Sequence, residues 1–323
     1  MSQTSTPVEG TAAEELPRPE RFADVKGWFW PVDQMIFDWF LARQADTDRR
    51  GDLLELGAYM GKSAIFLGGY LGEGETFTVC DLFDSPAPDD PNSAEMDRSY
   101  ATLTRRAFET NYLSFHDELP TVVQAPTSVI TSKVAPGTCR FVHVDASHLY
   151  EHVHGDIEAA RQLLVPDGIV AFDDFRAEHC PGVSAAVWGA VATTGLKPIV
   201  ITGSKLYGTW GDPAPFTESL REWLATRTDV WHGVEEVAGL PLIRIKGPKA
   251  RPPAPPVSRH EPLAAPEPLP APEPQPAPEP QPAVPAPATT VTPPVRRSLA
   301  RRLARDLLPP ILTRALTSGS RRR

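Results

Sequence analysis

Residues 55–63 read "ELGAYMGKS", and the interpretation of the whole chain depends on this stretch. Its ending, Gly61-Lys62-Ser63, looks like the end of a triphosphate-binding loop, which needs four residues between its first glycine and Gly-Lys-Ser. Only three residues separate Gly57 from Gly61, so a loop that wraps a phosphate cannot close here. The glycines therefore predict a turn of another kind, at the end of a buried strand.

Apolar strands and helical segments alternate along the chain after this turn. Continuous apolar strands joined by helices indicate a mostly parallel sheet with both faces covered. Residues 197–211 break the alternation and predict an antiparallel hairpin at one edge of the sheet. The predicted fold is a doubly wound, Rossmann-like α/β fold. The predicted strands are 52–57, 76–83, 121–125, 139–146, 168–175 and 241–246, and the predicted helices are 27–46, 62–72, 97–113, 127–133, 150–164, 182–194 and 216–226.

Composition divides the chain of 323 residues into a folded part and an extension. The segment 251–295 holds 18 of the 37 prolines and predicts an extended linker of the polyproline II type. Residues 296–323 combine nine arginines with leucines on one helical face and predict a basic amphipathic tail. Residues 1–24 are predicted to be a disordered lead, which leaves 25–250 as the folded domain.

The net charge of −9 is unevenly distributed. The tail carries +8 and the linker −2, so residues 1–250 carry −15, which argues against nucleic acid binding by the globule. The tail is predicted to bind an anionic membrane surface or an acidic protein, or to latch onto the globule itself. Three cysteines in no paired pattern, without a signal peptide or a run of membrane-spanning length, predict a cytoplasmic protein.

Acidic side chains stand at the carboxyl ends of the predicted strands, where ligands of such sheets bind. This edge disfavours bare phosphates and favours a ligand with sugar hydroxyls and a positive centre. Three carboxylates meeting there repel one another unless a cation or protons intervene, and oxygen ligands favour Mg²⁺. Alternatively, the aspartates cap the turns that follow them. The residues concerned are Glu55, Asp81, Asp145, Asp173 and Asp174.

Several neighbouring residues allow more than one interpretation. His148 stands among His143, His152, His154 and His179, which raises the alternative of a zinc site. Only His148 and His152 have the i, i+4 spacing of one helical face, and no carboxylate completes the set. His179 follows the paired aspartates and is a candidate substrate contact. The aromatic run 28–30 packs in the core, covers the site as a lid, or lines an acceptor pocket.

Taken in order, these motifs resemble the class I S-adenosylmethionine-dependent methyltransferases. "LLELGAYMGKSA" (53–64) is similar to their first motif and "VCDLF" (79–83) to their second. Residues 141–175 resemble the fourth and fifth strands of the O-methyltransferase branch, in the metal-dependent catechol type and the macrolide-sugar enzymes. The resemblance implies S-adenosylmethionine as cofactor, Mg²⁺ as metal, and methylation of a hydroxyl on a small-molecule or sugar-containing acceptor.

The resemblance also implies roles for individual residues. It places Asp81 on the ribose and Thr127 at the adenine. His148 would be the general base, where the catechol type has lysine, and Asp174 would be a metal ligand, where that type has asparagine. The implied cofactor contacts are Glu55, Gly57, Ala58, Tyr59, Gly61, Ser63, Asp81 and Thr127, the implied metal ligands are Asp145, Asp173 and Asp174, and the implied catalytic residues are His148 and Asp145.

Two functions of other classes stay open at this point. A methyltransferase-like module without turnover could recruit partners through its tail. An NAD-dependent oxidoreductase would use a similar fold, but the Gly-Xaa-Gly-Xaa-Xaa-Gly turn of such enzymes is missing after the first strand.

Overall fold

The computed structural model describes residues 16–262, except for the side chain of Ser99. Residues 1–15, the rest of the predicted linker and the predicted tail 296–323 lie outside the described residues. No helix in the described part of the chain is both long and apolar enough to cross a membrane.

A single sheet of nine strands organises the domain, in the order β3-β2-β1-β4-β5-β7-β6-β9-β8. The first five strands pair in parallel, as the sequence predicts, and helices cover both faces. The predicted doubly wound α/β class is therefore confirmed. The strands are β1 Asp52–Leu56, β2 Phe77–Asp81, β3 Thr121–Gln124, β4 Cys139–Val144, β5 Leu164–Phe172, β6 Lys197–Ile201, β7 Leu206–Thr209, β8 Trp231–Val237 and β9 Leu240–Lys246.

The predicted hairpin exists, but it does not lie at the edge of the sheet. Strands β6 and β7 form it, and β7 pairs with β5 in antiparallel fashion. On its far side β9 pairs in parallel with β6, so the later hairpin of β8 and β9 forms the edge. The sequence prediction missed β8 because all of its residues are partly or fully exposed, as suits an edge strand, and it has no continuous apolar run.

Seven α-helices and two short 3-10 helices connect the strands in the described residues. The segment 97–113, predicted as one helix, contains the end of α3 and the whole of α4. The side chain of Thr104 caps the second helix by accepting a hydrogen bond from Ala107 N, so the chain restarts there. The helices are α1 Pro31–Asp46, α2 Lys62–Gly68, α3 Asp90–Ser99, α4 Arg105–Leu113, α5 Tyr150–Leu163, α6 Pro181–Thr193 and α7 Ala214–Ala225, with 3-10 helices Phe22–Asp24 and Thr127–Ser132.

The described fold extends past the predicted limits of 25 and 250. Phe22 is buried in the core, within a segment predicted to be a disordered lead. At the other end Ser258 is buried, and its hydroxyl donates to the carbonyl of Pro19. The two segments that flank the domain therefore contact each other.

Alternation along the central strands sends successive side chains to opposite faces. In β1, Leu53 packs in the core under α1, whereas Leu54 and Leu56 pack against α5 and α6 on the other face. Glu55 shares the α1 face with Leu53, and in the β1–β4 register it lies opposite His143. A carboxylate and an imidazole are thus placed inside the sheet, next to the turn that follows β1.

Arg140 of β4 ties this strand to α1 and to the loop before β2. Its guanidinium donates to both carboxylate oxygens of Glu75 at 2.9 and 3.0 Å, to Gln44 Oε1 at 2.9 Å and to the carbonyl of Tyr70 at 2.7 Å. Arginine and glutamate are both almost fully buried. A buried pair with this many hydrogen bonds satisfies both charges.

We expect Arg140→Met to destabilise the domain by about 3–5 kcal/mol, because Glu75 would stay buried without its cation. Urea denaturation of the two proteins measures the difference. Arg244→Met is the matched control, since the pair of Arg244 with Glu235 is exposed, and its expected cost is below about 1 kcal/mol. Equal losses in the two variants would contradict the structural role of Arg140.

Candidate active site

A cavity of about 1450 Å³ opens at the carboxyl ends of the central parallel strands. Ligands of open α/β sheets bind at this edge. The turn after β1 forms one part of its wall, and the loops after β4 and β5 form another. The predicted site residues that line it are Gly57, Tyr59, Asp81, Thr127, Asp145, His148, Asp173 and Asp174.

The turn after β1 depends on Gly57. Its φ is +81°, and a Cβ at this position would lie 2.1 Å from the carbonyl oxygen of Asp145. Only glycine allows both the backbone conformation and this close approach of the loop after β4. Tyr59 also has a positive φ, of +50°, which is uncommon for a residue with a side chain and typical of functional sites.

Asp81, at the end of β2, fastens this turn from the neighbouring strand. Its Oδ2 accepts hydrogen bonds from Ala58 N at 2.7 Å and Tyr59 N at 3.0 Å, and its Oδ1 accepts one from Phe83 N at 2.6 Å. Burial raises the pKa of Asp81, although the three amide donors oppose this shift. A carboxylate has about four acceptor positions, so about one is left for a ligand in the cavity.

Four predicted cofactor contacts do not line the cavity. Glu55 is fully buried, and its Oε1 lies 2.7 Å from Nδ1 of His143. Ala58 contributes its amide to Asp81, and Gly61, with a φ of +91°, is the N-cap of α2. Ser63 is buried in the first turn of that helix. The structure places these residues behind the glycine turn, where they shape it.

The three carboxylates predicted to hold magnesium fall into two neighbouring groups of metal-ligating side chains. Within each group, the ligand atoms lie within 4.8 Å of one another. The predicted set is therefore divided, although both groups face the same cavity. The groups are His143, Asp145 and Asp173 on one side and His148, Asp174 and Cys180 on the other.

Asp145 and Asp173 are close enough for the charge of one to disfavour ionisation of the other. Burial, and then the negative charge of Asp173, raise the pKa of Asp145 well above its ordinary value. Asp173 forms an ion pair with Lys205 and accepts a hydrogen bond from the amide of Asp174 at 2.8 Å. Asp174 itself has a φ of +52°, another strained backbone position at this edge.

His148 is held between two carboxylates, near the end of the loop that leads from β4 into α5. Its Nδ1 lies 3.1 Å from Glu95 Oε1, and its Nε2 lies 3.0 Å from Asp174 Oδ2. Burial lowers the pKa of His148, but the hydrogen bond to Asp174 and the charges of Asp174 and Glu95 outweigh it, so the pKa is raised. Glu95 also accepts a hydrogen bond from the backbone amide of His148, which fixes the loop.

Sequence reasoning missed a line of buried groups behind the cavity. Lys205, from the hairpin between β6 and β7, is 1% exposed and lies 3.0 Å from Nε2 of His143. Since an ammonium group only donates, this nitrogen of His143 accepts, and its Nδ1–H donates to Glu55. Burial and then Lys205 lower the pKa of His143 well below its usual range, while burial raises that of Glu55 to about 8.

Two histidines and the aromatic run 28–30 were the other candidate site residues in the sequence. His152 contacts Asp89 at 2.8 Å and belongs to neither metal-ligating group found in the described residues, so the structure does not join it to His148 in one site. His179 lines the cavity near His148. In the aromatic run 28–30, the middle residue is buried in the core, while the two tryptophans line the cavity.

The oxygen ligands at this edge suit a hard divalent ion such as Mg²⁺. Burial and then the charge of Asp173 raise the pKa of Asp145 although Lys205 opposes this shift, so the positive charge of one ammonium group does not offset both carboxylates. A divalent ion supplies such charge, so the residues present fit it. Asp145 and Asp173 would hold the ion, with Asp174 beside them.

Comparisons with known proteins gave one family match and several solved structures of distant similarity. Residues 54–175 match the family model described as a methyltransferase domain. The O-methyltransferase NovP is 19% identical over 55% of this chain and 78% of its own, with a TM-score of 0.45. CalS11, a TDP-rhamnose 3'-O-methyltransferase of calicheamicin biosynthesis, is 18% identical over 56% and 80%, with a TM-score of 0.39. PaMTH1 of Podospora anserina, solved with S-adenosylhomocysteine, is 15% identical over 57% and 83%, with a TM-score of 0.39.

These structural likenesses are too distant to transfer an acceptor, and no curated sequence matches the chain. The family match covers the segment from β1 to the paired aspartates after β5, which supplies the glycine turn, Asp81 and the carboxylates of the cavity. This segment is a class I methyltransferase domain. The protein is an S-adenosylmethionine-dependent methyltransferase, as the resemblance of its motifs predicts.

Proposed function

We propose that the protein transfers a methyl group from S-adenosylmethionine to a hydroxyl oxygen of a small-molecule or sugar-containing acceptor. One observation carries the proposal. The same cavity holds the glycine turn with Asp81 at one part of its wall and a carboxylate-paired histidine, His148, at another. A cofactor at the turn and an acceptor near His148 would share this space, which is what direct methyl transfer requires.

The cofactor would lie along the turn after β1. Gly57 and Tyr59 would face its methionine part, Asp81 would accept a hydrogen bond from a ribose hydroxyl, and Thr127 would lie beside the adenine. Eight acidic residues and two arginines line the cavity, so its potential suits the positive sulfonium centre. Glu55, Ala58, Gly61 and Ser63 would act through the shape of the turn.

The acceptor would contact the aromatic side chains that line the cavity. Trp28 and Trp30 line the cavity and are 64% and 55% exposed, and Trp28 stacks on Tyr59 with ring centroids 5.6 Å apart. Exposed tryptophans at a cavity mouth present flat apolar surface to a ring-bearing ligand. With so many carboxylates nearby, the favoured acceptor is neutral or cationic, and phosphorylated compounds are disfavoured.

The chain's own residues account for the proton. In neutral His148, with Nδ1–H donating to Glu95, the acceptor hydroxyl would take the place of Asp174 at Nε2 and give its proton to that nitrogen. As it does so, its oxygen would bond to the methyl carbon, and the methyl–sulfur bond would break to leave S-adenosylhomocysteine. Glu95 orients His148 through Nδ1, and Asp174 stabilises its protonated form. A magnesium ion held by Asp145 and Asp173 would orient the acceptor hydroxyl and lower its pKa.

Calorimetry of the full chain tests the cofactor half of this proposal. We expect S-adenosylmethionine to bind with a Kd on the order of micromolar, both with Mg²⁺ and with excess chelator, because the turn and Asp81 do not depend on a metal. A change of affinity with chelator would show that the two sites are coupled. Absence of binding in both buffers would refute the function.

Binding of a membrane surface or an acidic protein by residues 296–323 stays a prediction from the sequence.

A further inference from the structure

Lys205 is a buried cation next to the carboxylates of the cavity. Its ammonium group pairs with Asp173 Oδ2 and donates to Nε2 of His143, while the rings of Phe29 and Phe37 lie 5.9 Å away. Lysine is almost never fully buried unless it is paired. The contacts on several sides therefore mark this position as built for a positive charge.

The backbone of Lys205 is fixed as firmly as its side chain. Its amide donates to the hydroxyl oxygen of Thr202 at 3.0 Å, and its carbonyl accepts from the amide of Thr202 at 2.9 Å. Thr202, Ser204 and Tyr207 all donate hydroxyl hydrogen bonds to Asp33 in the first turn of α1. The hairpin is thus anchored to α1 on both sides of Lys205, and the ammonium group cannot move away from Asp173 at low cost.

The ammonium group of Lys205 and a bound divalent ion would both contact the carboxylate of Asp173. Two positive centres that share one carboxylate repel each other, and at a partly buried site water screens this repulsion less than at the surface. Asp173 is already neutralised by Lys205, so it would give a metal less than a free carboxylate gives. The cluster therefore has a cation of its own before any metal arrives.

We propose that Lys205 is the resident cation of the Asp145–Asp173 cluster, and that it positions Asp173 and limits how tightly the cluster binds a divalent ion. The inference rests on the proposed metal site and leaves the methyltransferase assignment untouched. It explains how Asp173 keeps a charged partner and a fixed position when no metal is bound. It also assigns a role to the hairpin of β6 and β7, which supplies Lys205 to the cluster.

Binding of Mn²⁺ to the full chain, measured by calorimetry without cofactor, tests the proposal. We expect Lys205→Met and Lys205→Gln to bind Mn²⁺ at least about ten-fold more tightly than the unaltered protein, because the repelling charge is gone. Lys197→Met is the matched control. Lys197 is a half-buried lysine of β6 whose ammonium donates to the carbonyl of Gly211, and its replacement should leave Mn²⁺ affinity unchanged. Equal or weaker binding by both Lys205 variants, or no binding by any protein, would overturn the proposal.

The shift of the Tm on addition of Mn²⁺ can be measured even if a Lys205 variant is less stable than the unaltered protein. If Lys205 supplies the cation, Mn²⁺ should raise the Tm of Lys205→Met far more than that of the unaltered protein, since the ion replaces the lost charge. Equal shifts in the two proteins, or a variant that stays unfolded at saturating Mn²⁺, would count against it. Binding of S-adenosylmethionine in the same samples separates this failure from failure of the proposed function.

Discussion

Replacing Asp81 with asparagine is expected to weaken the binding of S-adenosylmethionine by roughly a hundred-fold, or about 3 kcal/mol. The effect has two sources. An amide side chain offers one oxygen, whereas three backbone amides now share both oxygens of the carboxylate. At least one amide in the turn would lose its acceptor or face another donor, and the proposed ribose contact would be lost as well.

Calorimetry of the full chain and of Asp81→Asn gives the two affinities directly. The matched control is Asp84→Asn, three residues further along. Asp84 is exposed and does not line the cavity, and its carboxylate accepts from Gln124 and from the amide of Arg105. We expect this control to keep its affinity within about two-fold, as befits a surface substitution. Similar losses in both variants would show that Asp81 acts through general stability, and an unchanged affinity in Asp81→Asn would exclude it from the cofactor site.

Much of the fold could be predicted because its signals are local. The strand at 52–57 and the turn at Gly57 follow from a buried apolar run that ends in glycine, and the structure confirms both. The position of the hairpin 197–211 within the sheet could not be predicted in this way. Whether it forms the edge depends on β9 pairing with β6 from more than 40 residues away, and no local pattern encodes that partner.

The same distinction applies to the site. Gly57, Asp81 and the carboxylates at strand ends could be predicted because the carboxyl ends of parallel strands meet at one edge. Lys205 could not, since lysine in a hairpin is usually exposed and the sequence gives no sign that this one is buried. Its partner Asp173 lies 32 residues earlier, and only the antiparallel pairing of β7 with β5 brings them together.

Replacing His148 with glutamine is expected to lower kcat by about a hundred-fold or more while leaving the affinity for S-adenosylmethionine unchanged, the effect typical of a lost general base. Glutamine can still reach Glu95 and Asp174 by hydrogen bonds, so the loop should keep its shape. Single-turnover transfer from labelled cofactor to an accepted substrate measures the rate of the chemical step.

His152→Gln is the matched control. His152 lies four residues further along, lines the same cavity, and also contacts a carboxylate, that of Asp89. A comparable loss in both variants would place the effect in the electrostatics of the cavity wall. A loss confined to His148 would assign the proton to its imidazole, and an unaffected rate would leave the acceptor's proton to a carboxylate of the Asp145–Asp173 cluster.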